Sequence, residues 1–142
     1  MSASLQSSSA MEKELVIKSS PDKIREVEDL IEEVREILQF KDDVYGNVMV
    51  AITEAVNNGI LHGNSSDIDK SVFIKVCLMN QYRLLVSVED EGPGFDPDAL
   101  SDPTAPENLE KIGGRGVFLM EALADEISFS NEGRRVEMIF NI

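Results

Sequence analysis

The stretch Glu54–Gly63 reads EAVNNGILHG and constrains the fold more than any other part of the sequence. Its Glu54 and Asn58 are four residues apart, so a helix would place them one turn apart on the same side. Two further motifs follow, DEGPGFD at Asp90–Asp96 and GGRGVFLM at Gly113–Met120. The three motifs meet different needs of one ligand. The first is an acid and an amide on a helix, the second is an acid and glycines after a strand, and the third is a glycine loop before a helix. Together the three motifs predict a nucleotide site.

The length and charge of the chain restrict its class. A chain of 142 residues fits one ordinary domain, which buries about 68–70% of the surface exposed by its unfolded form. The 27 acidic and 13 basic residues give a formal charge of -14, which repels polyanions and argues against nucleic acid as a partner. A triphosphate is also an anion, so we expect a metal ion and a helix N-terminus to supply a local positive field.

The single cysteine, Cys77, lies in an apolar stretch and is expected to be buried. One cysteine cannot form an intramolecular disulfide, which fits a cytoplasmic protein. No apolar run approaches the roughly 18 residues of a membrane helix. Residues 1–10 are rich in serine and are expected to form a mobile tail, which leaves residues 11–142 as a single domain.

The hydrophobic pattern predicts an α+β fold, a two-layer sandwich of a mixed, mostly antiparallel sheet with helices on one face. Strands are expected at 14–18, 71–79, 84–89, 126–130 and 136–142. Helices are expected after the Ser20–Pro21 cap, from 42 or 43 to 63, and from about 116 to 124. The inward stripe of the second helix is predicted to contain Val44, Val48, Ala51, Ile52, Ala55 and Gly59. The proline-rich segment 97–112 has the length of a lid loop.

The second helix carries the residues suited to phosphoryl transfer. The amide oxygen of Asn58 can bind Mg²⁺ as a neutral ligand, while Glu54 can orient or deprotonate an attacking hydroxyl. A solvated helix face would also explain both residues. His62, four residues further on, could be a ligand, a phosphoacceptor or a C-terminal helix residue whose cation complements the helix dipole, and the last is favoured.

The two glycine motifs complete the predicted site. A carboxylate at a strand end, Asp90, can accept hydrogen bonds from the exocyclic amine of adenine, and Gly92 and Gly94 would let the backbone approach a flat base. A tight acidic turn is the alternative for this motif.

The loop before the third helix suits phosphate binding. Gly113, Gly114 and Gly116 precede a helix whose free amides point back at the loop. Arg115 and Lys111 are candidates for phosphate contacts, or exposed surface charges.

In order and content, these motifs resemble the GHKL ATPase superfamily, and within it the bacterial anti-sigma-factor serine kinases. The resemblance spans residues 14–142 and implies ATP and Mg²⁺ as cofactors. It implies Glu54 as general base, Asn58 as Mg²⁺ ligand and Asp90 as adenine reader. It further implies base-pocket glycines at Gly92 and Gly94, and phosphate contacts at Gly114 and Gly116.

The resemblance also implies the partners. Kinases of this kind bind a sigma factor and phosphorylate a serine or threonine on a small antagonist protein that would otherwise displace it. They often dimerise, and outward Met49 and Val50 on the second helix are compatible with a homodimer. The sequence departs from the family after Gly133, because Arg134 stands where such proteins often have a threonine near the adenine.

Two other functions fit parts of the pattern. In the first, ATP only sets the conformation of a non-catalytic protein-binding module; the presence of Glu54 and Asn58 argues against it. In the second, the chain is a detached catalytic domain of a histidine kinase, which would need a phosphoacceptor histidine on another polypeptide.

Overall fold

The fold is built on a five-stranded sheet in the order β1-β2-β3-β5-β4. The computed structural model describes residues 11–94 and 117–142. Every neighbouring strand pair in this sheet is antiparallel. The strands are β1 Glu12–Lys18, β2 Ser71–Asn80, β3 Arg83–Glu89, β4 Glu126–Ser130 and β5 Arg135–Asn141. Two hairpins, β2-β3 and β4-β5, therefore meet where β3 pairs with β5.

Helices connect the strands and cover one face of the sheet. The helices are α1 Ile24–Leu38, α2 Asp42–Asn58 and α3 Val117–Leu123. A short 3-10 turn, Pro21–Lys23, leads into α1, and a π-helical turn, Gly59–Gly63, continues α2. The second helix thus begins at the predicted residue, and its last turn has a wider winding than the predicted α-helix.

The entry into α1 differs in detail from the predicted cap. Pro21 occupies the first helical position, as expected, and the backbone of Ser20 is extended. The hydroxyl of Ser20 donates to the carboxylate of Asp22 and not to the backbone, so the predicted side-chain cap is wrong. This hydrogen bond lowers the pKa of Asp22.

The core lies between the helices and the inner face of the sheet. Val76, Val86 and Met138 are neighbours across the three central strands, and all three are 0% exposed. Along β3, every second residue is buried, namely Leu84, Val86 and Val88, which is the periodicity of a strand that buries one face. The helices supply the facing residues, among them Val27, Ile31, Val34, Val48 and Ile52. The α+β class with helices on one face is confirmed.

The buried side of α2 is wider than the predicted stripe. Val48, Ala51, Ile52 and Ala55 are buried as expected, and Val56 is buried as well. The helix packs against α3 in addition to α1, so a second side of it is removed from water.

The opposite face of the sheet is open in the described part of the chain. Alternation along β2 points Val76 inward and Cys77 outward, so Cys77 is half-buried and the predicted burial is wrong. Partial burial raises the pKa of the Cys77 thiol, and the charge of Glu12, its neighbour on β1, adds to the effect. The same face exposes the cross-strand pair of Val16 and Phe73.

We expect Ile52→Ala to lower the free energy of unfolding by about 2–5 kcal/mol, because it leaves a cavity between α2 and the sheet. The control is Val50→Ala on the same helix, where the side chain is 41% exposed; its effect should stay within about 0.5 kcal/mol. Urea denaturation followed by circular dichroism measures both. Equal losses in the two variants would contradict the assignment of the core.

Candidate functional site

The π turn brings the end of the second helix against the end of β3. The amide of Asn64 donates to the carbonyl of Gly59 at 2.7 Å, a bond that spans five residues. Such turns are rare, and they are frequent at functional sites. The turn leaves His62 exposed and buries Gly63. His62 lies in the last helical turn, as the sequence predicted.

The carboxyl group of Asp90 lies directly over the Cα of Gly63. A methyl group built on Gly63 would lie 2.3 Å from Cγ of Asp90 and 2.4 Å from its Oδ2, closer than any non-bonded contact allows. One helical turn earlier, a methyl group on Gly59 would lie 3.5 Å from Cβ of Asp90. The two glycines therefore form a helix surface that admits the aspartate.

The loop after Asp90 requires glycine for reasons internal to the protein. A Cβ on Gly92 would lie 1.8 Å from the carbonyl oxygen of Gly63, so the loop crosses the π turn in close contact. Gly94 has a φ of 81°, and its Cα lies beside the carbonyl of Glu132. The sequence interpretation assigned these glycines to the base of a ligand; the packing gives them a role in folding the loop.

Asn64 fixes the same region from below and was missed by sequence reasoning. Its side chain is 1% exposed. Nδ2 donates to Ser19 Oγ at 2.8 Å and to the carbonyl of Ser71 at 2.9 Å, while Oδ1 accepts from the amide of Glu91 at 2.8 Å. The Oε1 atom of Glu91 in turn accepts from the amide of Ser71 at 2.7 Å. One amide thus joins the ends of β1 and the π turn to the start of β2 and to the Asp90 loop.

The loop is held from the other side by the β4-β5 hairpin. The amide of Asp90 donates to the carbonyl of Arg134 at 3.0 Å, which extends the β3-β5 ladder by one bond. The side chain of Arg134 donates from Nε to the carbonyl of Gly92 at 2.6 Å. Within the loop, the amide of Gly92 donates to Asp90 Oδ1 at 2.8 Å. The carboxylate therefore has a fixed orientation.

Glu54 and Asn58 lie on α2 at the border between buried and exposed positions. Both residues are half-buried. Asn58 directly precedes Gly59, whose Cα is beside Asp90. The structure therefore brings the helix motif and the Asp90 motif to one end of the molecule.

The third motif lies mostly outside the described residues. Lys111, Gly114, Arg115 and Gly116 belong to this part, as does the predicted lid at 97–112. The predicted third helix is present from Val117 to Leu123 and packs against α2. The phosphate contacts assigned to these four residues stay predictions.

The donor atoms of the described site suit Mg²⁺ bound together with phosphates. Within residues 11–94 and 117–142, no group of three or more His, Cys, Asp or Glu side chains could hold a metal ion by itself. Mg²⁺ is commonly held by one or two protein oxygens with substrate phosphates and water completing the shell. The amide oxygen of Asn58 fits that role.

Comparison with known proteins agrees with this geometry. The model of the family described as histidine kinase-like ATPase domain matches residues 17–140. The chain belongs to this family. The predicted resemblance to the GHKL superfamily is thereby confirmed, and the chain's Glu54, Asn58 and Asp90 all lie inside the matched range.

Several similar proteins are named serine-protein kinase RsbW, and another is named anti-sigma F factor. Serine-protein kinase RsbW of Listeria monocytogenes serotype 4a (strain HCC23) is 29% identical over 106 residues, which are 70% of this chain and 67% of that protein. RsbW of Bacillus subtilis (strain 168) is 32% identical over 63% of this chain and 59% of its own length. The anti-sigma F factor of Priestia megaterium is 35% identical over 60% and 59%, respectively. The chain thus spans 59–67% of the length of these relatives.

A solved structure has the same fold. It contains the RsbU and RsbW domains of Rv1364c from Mycobacterium tuberculosis, with a TM-score of 0.64 and 15% identity, and the match covers 92% of this chain and 31% of that one. At this identity the likeness concerns the fold alone. In the described residues, no helix combines the length and apolarity needed to cross a bilayer.

We expect Gly63→Ala to lower the free energy of unfolding by about 1–3 kcal/mol, because the new methyl group must displace the carboxyl group of Asp90. Gly46→Ala is the control on the same helical segment, since a methyl group there meets nothing within 4 Å. It should raise the stability by up to about 1 kcal/mol through helix propensity. Thermal unfolding measures both variants, and a Gly63→Ala protein as stable as the parent would disprove the contact.

Proposed function

We propose that the chain is an ATP- and Mg²⁺-dependent protein serine/threonine kinase that also acts as an anti-sigma factor. In this proposal residues 11–142 act as one ATP-binding kinase domain, and its protein substrate is a small antagonist of the anti-sigma factor. The observation that carries the proposal is the packing of Asp90 against Gly63, which joins an adenine-type acceptor to the helix of Glu54 and Asn58.

Asp90 is proposed to select the base. Its carboxylate is oriented by the amide of Gly92, and a carboxylate accepts hydrogen bonds from the amino group of adenine. Guanine carries a carbonyl oxygen at the equivalent ring position. That oxygen and the Asp90 carboxylate are both hydrogen-bond acceptors, so they would repel each other. The site therefore favours ATP over GTP.

Glu54 is proposed as the general base. In the transfer, a serine or threonine hydroxyl oxygen bonds to the γ-phosphorus, and the hydroxyl proton passes to the Glu54 carboxylate. The bond between the γ-phosphorus and the bridging oxygen breaks, and ADP leaves with the electron pair on that oxygen. Glu54 is half-buried, so its side chain is partly accessible while the helix fixes its backbone. Bound Mg²⁺ would neutralise part of the phosphate charge, with Asn58 as its protein ligand. Lys111, Gly114, Arg115 and Gly116 are proposed to contact the phosphates.

The proposed partners rest on the names of the relatives, which are serine-protein kinases and an anti-sigma factor. A homodimer through α2 stays part of the proposal. Val50 is 41% exposed, as that surface requires, whereas Met49 is half-buried and packs against the core, so it is not outward as predicted.

Asp90→Asn should weaken ATP binding by about tenfold or more, because an amide presents N–H groups to the adenine amine. The loss would oppose simple electrostatics, since removing a negative charge favours a bound anion. The control is Glu91→Gln, which removes the adjacent charge and keeps an oxygen for the amide of Ser71. Calorimetric titration with Mg·ATP measures the affinities, and an Asp90→Asn protein that binds as tightly as the parent would refute the assignment.

Glu54→Gln should reduce phosphate transfer by about 10²–10⁴-fold while ATP affinity stays within about twofold, because only the proton acceptor is lost. Asn57→Ala is the control on the same helix, and it should transfer at the parental rate. The assay follows labelled γ-phosphate from ATP to candidate antagonist domains.

Each alternative has its own result in this assay. A parent protein that binds ATP and labels no candidate is a binding module, and acid-labile phosphate on a partner indicates histidine-kinase chemistry. Transfer by Glu54→Gln at the parental rate would exclude Glu54 as base.

A further inference from the structure

Arg134 is the residue at which the sequence departs from the family pattern, and its side chain folds back over the Asp90 loop. Nε donates to the carbonyl of Gly92 at 2.6 Å, and Nη2 donates to the carbonyl of Pro93 at 3.4 Å. Nη1 donates to the carbonyl of Asn131 at 3.2 Å within its own hairpin. The side chain is 27% exposed. Three guanidinium nitrogens are thus engaged by main-chain carbonyls.

The main chain of Arg134 binds the same loop at its first residue. Its carbonyl accepts from the amide of Asp90 at 3.0 Å, while its side chain holds Gly92 and Pro93. The amide of Gly92 then donates to Asp90 Oδ1. A continuous chain of contacts therefore runs from the guanidinium to the carbonyl of Gly92, and from the amide of the same residue to the carboxylate of Asp90.

The loop depends on such contacts because its own sequence supplies little rigidity. Two of its residues, Gly92 and Gly94, have no side chain to pack, and glycine loses more conformational freedom on ordering than other residues. Hydrogen bonds from a charged donor are stronger than those between neutral groups. A planar guanidinium can hold two successive carbonyls at once, which an ammonium group does less well.

We propose that Arg134 is a positioning residue for base recognition: it holds the loop that orients Asp90, without itself contacting the nucleotide. This inference rests on the proposed ATP site. It explains how a chain with arginine at this position keeps a rigid base pocket, since the hairpin supports the loop from outside. Loss of the guanidinium is expected to reduce the fraction of molecules with a binding-competent loop, and so to weaken recognition of the base more than recognition of phosphates.

The test compares Arg134→Met with Arg135→Met. Both remove one positive charge and one ion pair from adjacent residues of one hairpin: Nη1 of Arg134 lies 3.5 Å from Oε2 of Glu132, and Nη2 of Arg135 lies 3.0 Å from Oε1 of Glu89. Of the two, Arg134 also donates to the carbonyls of the Asp90 loop. Affinities for Mg·ATP, Mg·GTP and inorganic tripolyphosphate are measured by calorimetry, at a temperature where circular dichroism shows each variant folded. Arg134→Met should weaken ATP binding by about tenfold and lower the ratio of ATP affinity to GTP affinity. The affinity for tripolyphosphate should change by less than about twofold. Arg135→Met should leave the ratio unchanged.

Arg134→Lys provides the second measurement, and it decides the matter if Arg134→Met does not fold. Lysine keeps the charge and one donor group, so the ratio of ATP affinity to GTP affinity should lie below that of the parent and, where Arg134→Met folds, above that of Arg134→Met. Equal weakening of ATP and tripolyphosphate by Arg134→Met would show a charge effect and overturn the inference. An unchanged ratio of ATP affinity to GTP affinity in every Arg134 variant that folds would also overturn it. A parent that binds no ATP would instead refute the proposed function, and this inference with it.

Discussion

The contact between the carboxyl group of Asp90 and the Cα of Gly63 is the constraint around which the site is arranged. It requires glycine on the helix, an aspartate at the end of β3 and a helical turn wide enough to bring them together. The π turn at Gly59–Gly63 meets the last requirement. The carbonyl of Gly63 then faces Gly92, so one peptide group of the turn fixes the path of the following loop. Helix, strand and loop are thereby held in one arrangement.

Two polar side chains extend this constraint into the rest of the fold. Asn64 ties the loop to the ends of β1 and β2 from the buried side, and Arg134 ties it to the last hairpin from the exposed side. In the described part of the chain, every buried side-chain nitrogen and oxygen has a hydrogen-bond partner, so the network has no unsatisfied member to weaken it. The sheet and its two hairpins thus position the loop after β3 from both of its sides.

The sequence predicted those features that depend on local periodicity or composition. Alternation in β2 and the three- and four-residue spacing in α2 identified the strands and the inward helix stripe, because each pattern has one repeat that buries a single face. It failed where a side chain's partner is distant along the chain. The burial of Asn64 depends on Ser19, 45 residues away, and Arg134 bonds to Gly92, 42 residues away. The π turn was equally hidden, since an α-helical and a π-helical turn have the same apolar pattern over five residues. The sequence proposed Glu54, Asn58 and Asp90 as site residues because of their carboxylate and amide groups. The fold explains why the three lie at one end of the molecule.

Because the chain is acidic, the proposed site needs separate residues for recognising the base and for neutralising the phosphates. At the Asp90 loop, the guanidinium of Arg134 is engaged by carbonyls, and that of Arg135 by the carboxylate of Glu89. These cations stabilise the Asp90 loop and the end of β3, and they would contribute little field toward a bound phosphate, because their charge is already partnered within the protein. A net charge of -14 opposes a triphosphate at long range. In the proposed function, the neutralising charge would come from Mg²⁺ and from the proposed contacts of Lys111 and Arg115, which follow the Asp90 loop in the sequence. The proposal thus assigns base recognition and phosphate neutralisation to different parts of the chain. A substitution can therefore alter the first of these functions and leave the second unchanged, or the reverse.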